Sequence, residues 1–132
     1  MTAFSASLNV HARLKNRGQI QYLFSESNEK VGKYPLLLLY TFAPKIDKSP
    51  VRVLFSVSKK KFSRAVDRNR LKRLMRESYR RLDFSLLLKS ESNKQLLLAL
   101  VYTGKQEETQ ESISNSLSQI YDVLTQRISE SH

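Results

Sequence analysis

One stretch constrains the rest of this 132-residue chain. Ser58 to Leu82 reads S-K-K-K-F-S-R-A-V-D-R-N-R-L-K-R-L-M-R-E-S-Y-R-R-L. Between Lys59 and Arg81 it holds eleven Lys or Arg against Asp67 and Glu77, a net +9 in 23 residues, where the whole protein carries +11. The segment also has helical periodicity. Leu71, Leu74, Met75, Ser78 and Leu82 fall at the spacing of one helix face. Asn69, Lys72, Arg73, Arg76, Glu77 and Arg80 fall on the other. Ser63 is placed to cap the start, and Asp67 lies near the first turn, where negative charge is favoured. A helix with a packed back and a basic front is expected.

Three surroundings suit such a front. Solvent alone is the bland choice, but solvated helix faces usually alternate in sign and this one does not. A membrane surface is disfavoured, because the apolar face carries Leu and Met without Trp or Phe. A polyanion fits best: Arg offers a fork that matches phosphate oxygens, and excess positive charge suits counterion release from nucleic acid.

The remaining chain fits one domain, expected over residues 13–132, with residues 1–12 as a loose arm. Leu14, Ile20, Leu23 and Phe24 make a helical pattern, with the helix expected to start at about Gly18, then a polar loop with a short strand near Val31. Leu36 to Ala43, an apolar run between Pro35 and Pro44, reads as a strand. In Val51 to Ser58, Val51, Val53, Phe55 and Val57 share one face and Arg52, Leu54, Ser56 and Ser58 the other, as in a half-buried strand. Leu82 to Asn93 either continues the basic helix or makes a short second one. Gln95 to Tyr102 is another buried strand. From Glu107 the spacing of Ile113, Leu117, Ile120, Tyr121, Leu124 and Ile128 gives a final amphipathic helix. The fold class is α+β, a two-layer α/β sandwich with helices packed on one sheet.

No catalytic constellation is visible. There is no Cys, the two His lie near the ends, and Gly18, Gly32 and Gly104 are isolated rather than gathered in a phosphate loop. The carboxylates are scattered, and Glu107, Glu108 and Glu111 read as a helix N-terminus rather than a metal cluster. Neither a signal peptide nor a run of about 18 apolar residues is found, so a cytoplasmic protein is expected.

Ser56-Val57-Ser58-Lys59-Lys60, a short loop, Arg68-Asn69-Arg70-Leu71-Lys72-Arg73 and then Arg76-Glu77 resemble the signature of the bacterial ribonuclease P protein subunit. More weakly, the resemblance runs from about Arg13 to the last helix. It implies a sheet of about four strands, three main helices and an unusual left-handed βαβ crossover through the basic helix. It implies an endoribonuclease holoenzyme in which the RNA subunit carries the active site and its Mg²⁺. The protein then binds that RNA and the precursor tRNA, with no obligate protein partner, to promote removal of the 5′ leader.

Two surfaces follow. The basic front with its loop comprises Lys59, Lys60, Lys61, Arg64, Arg68, Asn69, Arg70, Lys72, Arg73, Arg76 and Arg80. By resemblance, Arg68, Asn69, Arg70, Lys72 and Arg73 contact the catalytic RNA. Asn69 can both donate and accept, so it can fix register where Arg supplies charge. A cleft between the first helix and the sheet would hold the single-stranded leader, with Phe24 and Tyr40 for stacking and Arg52, Ser56 and Ser58 from the polar strand face. Ile20 stands where the family usually has Phe, and Phe62-Ser63 where it often has Gly. The rival class is a basic structural RNA-binding protein such as a ribosomal protein, which would need the basic face without a stacking cleft.

Overall fold

The computed structural model describes residues 12–26, 29–88 and 93–130. In chain order the elements are β1 (Ala12–Arg13), α1 (Arg17–Glu26), β2 (Glu29–Lys33), β3 (Leu36–Pro44), β4 (Val51–Val57), α2 (Ala65–Arg80), a 3₁₀ turn (Phe84–Leu87), β5 (Lys94–Tyr102) and α3 (Gln110–Glu130). Of the expected loose arm, residues 1–11 lie outside the described residues, while Ala12 pairs with Arg52. The stretch after α2 contains the 3₁₀ turn, capped by the Asp83 carboxylate, which accepts from the Ser85 N–H, while residues 89–92 lie outside the described residues.

The sheet order is β1-β4-β5-β3-β2. β5 is central, parallel to β4 and antiparallel to β3. A strand covered on both faces needs no alternation, which is why Leu96 to Leu100 read as an unbroken apolar run. One sheet face carries α2 and α3. Its core joins Leu38, Val53, Leu98 and Leu100 to Leu71 and Met75 of α2 and to Ile113, Leu117, Ile120 and Leu124 of α3. The reverse face carries α1, which seats Leu23 with Ile20 on Leu97, Ala99, Ala43, Leu39 and Leu54. Burying each such Leu contributes about 1.5–3 kcal/mol.

The hand of the β4-α2-β5 crossover follows from two carbonyls. Val53 turns its side chain to the α2 face and its carbonyl to β1, accepting from Leu14 N at 2.9 Å; the Pro50 carbonyl accepts from Leu96 N on β5 at 2.9 Å. For an L-residue in a strand, those directions distinguish left from right. Viewed from α2 with β4 running upward, β5 lies to the left, so the crossover is left-handed. Generic strand-helix-strand physics favours the opposite hand in about 98% of cases.

Candidate nucleic-acid interface

The loop from Ser58 to Arg64 aims the basic helix, and backbone bonds fix it. The Ser58 hydroxyl accepts from Lys60 N (3.1 Å) and Lys61 N (3.4 Å), and Phe62 N donates to the Ser58 carbonyl (3.0 Å). Phe62 plugs the core edge-on to Tyr102, with ring centroids 5.7 Å apart. That is why an aromatic stands here and no left-handed residue is needed: among the described residues no backbone has positive φ.

Ser63 was expected to cap the helix, but Arg64 occupies the cap position in extended backbone and no side chain caps it. Order comes instead from Arg68, whose Nη1 donates to the carbonyls of Phe62 and Ser63, each at 2.9 Å. Behind α2 the buried residues are Leu71, Met75, Ser78 and Tyr79. Tyr79 was not anticipated. It stacks on Phe84 with centroids 4.9 Å apart, and burial drives its hydroxyl pKa upward, with the Asp83 charge adding to the effect.

The cations of the front divide by what they already hold. Arg70 pairs with Glu107, and Asp67 lies 3.9 Å away; Arg64 also reaches Asp67, at 3.8 Å. Arg80 pairs with Glu77 at 3.0 Å, Arg76 lies over the Phe55 ring at 5.7 Å, and Lys61 Nζ donates to the Thr103 carbonyl at 3.2 Å. Lys59, Lys60, Lys72 and Arg73 make no ion pair among the described residues, and the exposed Asn69 amide makes no hydrogen bond there. Asn69, Lys72, Arg73, Arg76 and Arg80 form one stripe along the helix.

Glu107 could not have been found from sequence spacing, because it lies 37 residues from Arg70. Its loop is clamped by the Tyr102 hydroxyl, which donates to the Gln106 carbonyl (2.6 Å) and accepts from Glu108 N (3.0 Å). Burial pushes the Tyr102 hydroxyl up to about 12, the Glu108 amide opposing and nearby charge adding. A Cβ on Gly104 would come within 2.9 Å of the Tyr102 ring, so glycine is needed for that approach.

The cleft candidates do not all meet. Tyr40 is 5% exposed and belongs to the core beneath α3, opposite Leu98 in the β3–β5 register. Strand alternation therefore sets it on the sheet face away from α1, Arg52 and Ser56, and it cannot wall the same groove. Ser58 is committed to its turn. Arg52 is on the α1 face but pairs with Asp47 and donates to the Arg13 carbonyl at 2.9 Å. Ile20 packs inward beside Leu23, while Phe24 keeps 49% of its surface open.

What this face offers instead is a row across the sheet. Leu37 pairs with Val101, and Val101 with Ser56; all three are half-buried and lie outside the patch α1 covers. Toward the strand ends the row gives onto Ser58, Thr103 and the lysine loop. An aliphatic floor thus runs from beside α1 to a cluster of cations. Leu37 and Val101 were missed because both faces of their strands are apolar, so periodicity did not say which side stayed open.

The chain matches the ribonuclease P family over residues 8–124. It is 38% identical over 100 residues to the ribonuclease P protein component of Chlorobaculum tepidum, spanning 69% of this chain and 64% of that one. With the corresponding protein of Chlorobium phaeobacteroides it shares 41% over 104 residues, 76% of this chain and 63% of the relative. The matches thus span just under two thirds of these relatives' own length. Among solved structures, the RNase P protein from Thermotoga maritima superposes with a TM-score of 0.61 at 20% identity, over 84% of this chain and 96% of that one. The Staphylococcus aureus RNase P protein gives 0.60 at 22%, over 84% and 93%. These structural likenesses speak to the fold. On the family match and the sequence relatives together, the chain belongs to the ribonuclease P protein family.

Proposed function

We propose that this chain is the protein subunit of a cytoplasmic ribonuclease P holoenzyme, binding the catalytic RNA along α2 and the single-stranded 5′ leader of precursor tRNA on the α1 face of the sheet. The observation that carries this reading is the stripe of Asn69, Lys72 and Arg73 with Lys59 and Lys60, phosphate-seeking groups without internal partners among the described residues, whose lysine loop stands at the end of the aliphatic row. Those cations would screen RNA–RNA repulsion, and Asn69 would set register among them. The groove would take unstacked bases on Leu37, Val101 and the open half of Phe24. Mg²⁺ would supply its chemistry on the RNA subunit. Among the described residues no three His, Cys, Asp or Glu side chains gather to hold a metal, and no step is assigned to one on this chain.

The test is reconstitution. Precursor tRNA and Mg²⁺ are incubated with the protein alone, with its cognate RNA alone at low Mg²⁺, and with both. Leader removal is expected from the pair. Efficient cleavage by RNA-free protein would overturn the assignment, and RNA binding without any effect on leader removal would favour a structural RNA-binding protein.

A further inference from the structure

The turn between β2 and β3 carries an aromatic ring that neither surface described above uses. Lys33 pairs with Leu36, so Tyr34 and Pro35 make a two-residue loop. Such loops favour Gly, Asn or Asp, which serve the backbone, and nothing in the turn asks for a large ring. The tip is firmly held. The Ser116 hydroxyl of α3 donates to the Tyr34 carbonyl at 2.6 Å, and Thr103 N donates to the Pro35 carbonyl at 2.7 Å. Pro35 and Leu36 are buried. Tyr34 itself keeps 63% of its surface open, more than any other aromatic side chain among the described residues. A ring presented on a fixed tip has already lost much of the freedom that binding would cost it.

Its surroundings are cationic. Thr103 joins the tip to the lysine loop, because its carbonyl receives Lys61 Nζ at 3.2 Å. Lys33 stands opposite Leu36, and Lys105 is exposed two residues beyond Thr103. Burial is the chief cause of the raised Tyr102 pKa, and Tyr34 adds to it, which sets the Tyr34 hydroxyl near that of Tyr102. Against these lysines stand Glu108 and Glu111, since Glu107 is paired with Arg70. The lysine loop follows β4, Lys105 follows β5 and the tip precedes the antiparallel β3, so all three lie at one end of the sheet, in the order of the strands. A single flat ring among lysines matches a nucleobase with its phosphates. A membrane surface would ask for a broader apolar face.

We propose that Tyr34 is a stacking platform for one unpaired base of the catalytic RNA, whose flanking phosphates sit at Lys61 and Lys105. The assignment rests on the proposed function. The catalytic RNA is the source because the cations continue from the basic stripe through the lysine loop to the tip. Ser116 ties that tip to α3, which packs on the sheet face opposite the one proposed for the leader. The RNA footprint thus reaches from α2 across the end of the sheet to the β2–β3 turn.

The test measures affinity of this chain for its cognate catalytic RNA, without tRNA. Tyr34→Ser suits a turn and is expected to weaken binding by roughly tenfold, as for one stacked base. Tyr34→Trp is expected to keep the parent's affinity, because the ring and not the hydroxyl does the stacking. Stacking releases no counterions, so the plot of log affinity against log salt should keep its slope in Tyr34→Ser and flatten by about 0.7–0.9 in Lys105→Ala. Chemical footprinting should show one unpaired nucleotide protected by the parent and by Tyr34→Trp, and open with Tyr34→Ser. With the catalytic RNA saturating, the ratio of affinities for precursor and mature tRNA should match the parent's. Undiminished RNA affinity in Tyr34→Ser, or a loss that Tyr34→Trp shares, would overturn the platform and leave the basic stripe in place. A loss confined to precursor tRNA would give the ring to the substrate and overturn it equally. Failure of the parent chain to bind the catalytic RNA would overturn the proposed function itself. Thermal unfolding of Tyr34→Ser, expected to match the parent because the ring is open, separates loss of the contact from loss of the turn.

Discussion

Arg70 of the basic helix is held by Glu107 of the loop before α3, and the Tyr102 hydroxyl grips that loop on both sides of the glutamate. A residue of the R-N-R-L-K-R run is thus occupied before any RNA arrives. The pair is about half exposed on the arginine side, so its worth is that of a surface ion pair, ~0.2–1 kcal/mol. In the proposed complex, RNA phosphates would have to compete with it. Glu107→Gln is expected to tighten RNA binding by up to about fivefold at low salt, with the gain fading at high salt. Tyr102→Phe loosens the same loop and should act in the same direction. Arg70→Ala is expected to weaken binding less than Arg73→Ala, which removes a cation without an internal partner. Affinities measured across a salt series decide this; equal losses for the two alanine variants would mean that Glu107 exerts no hold.

Arg68 is expected to act through the fold rather than through phosphate. Its guanidinium carries the Phe62 and Ser63 carbonyls. Truncation would leave both without that charged donor, at a cost of about 1–3 kcal/mol. Arg68→Ala should therefore lower the melting temperature, whereas Arg73→Ala should not. For Arg73→Ala the plot of log affinity against log salt should flatten by about 0.7–0.9, the value of one phosphate contact. A normal melting temperature for Arg68→Ala would show that the loop is held without it.

The fold was largely legible because its signals were strong ones. Pro35 and Pro44 bracket β3, the alternation Val51-Val53-Phe55-Val57 marks β4, and the α3 residues recur at helical spacing. The hand of the crossover came from resemblance, since no periodicity encodes it. The basic stripe was legible as charge, but its division into free and occupied cations was not. Glu107 and the carbonyls that hold Arg68 are neighbours only in three dimensions. The cleft was the least legible part. In LLLLYTFA both parities are apolar, so nothing in the run said that Leu37 faces α1's side and Tyr40 the opposite core. The Gln19–Gln95 bond spans 76 residues and announced itself by no motif.

Asp47 gives the structure a dependence on acid. Burial raises its carboxyl pKa, but the Ser49 amide, Arg52 and Gln95 together outweigh that and hold it below the usual carboxylate value. A lowered folded-state pKa stabilises the native form above the ordinary value of about 3.9, and the contribution disappears as pH falls through the folded-state value. Asp47→Asn should thus lower the melting temperature at pH 7, and the gap from the parent should close as pH falls below the ordinary carboxylate value of about 3.9. A gap that stays constant as the pH falls would mean the charge of Asp47 is not what holds the 45–50 turn to β5.

Tyr40 separates a binding role from a packing role. Its ring lies in the core between the sheet and α3, and its hydroxyl reaches Glu29 on the neighbouring strand at 3.4 Å. Removing a buried aromatic ring costs about 3–5 kcal/mol, so Tyr40→Ala should be strongly destabilised. Tyr40→Phe keeps the ring and gives up a long hydrogen bond to a partly exposed partner, a loss of under about 1 kcal/mol. Measured at a temperature where both variants remain folded, affinity for precursor tRNA and for mature tRNA should change by the same factor. A selective loss for the leader-bearing RNA, with normal stability, would put Tyr40 in the groove and overturn the strand parity on which the aliphatic row rests. Leu37→Asp tests that row directly: Leu37 is half-buried and lies outside the α1 contact, so the fold should survive. Precursor tRNA should lose roughly tenfold in affinity, as for one displaced base, while mature tRNA should lose little.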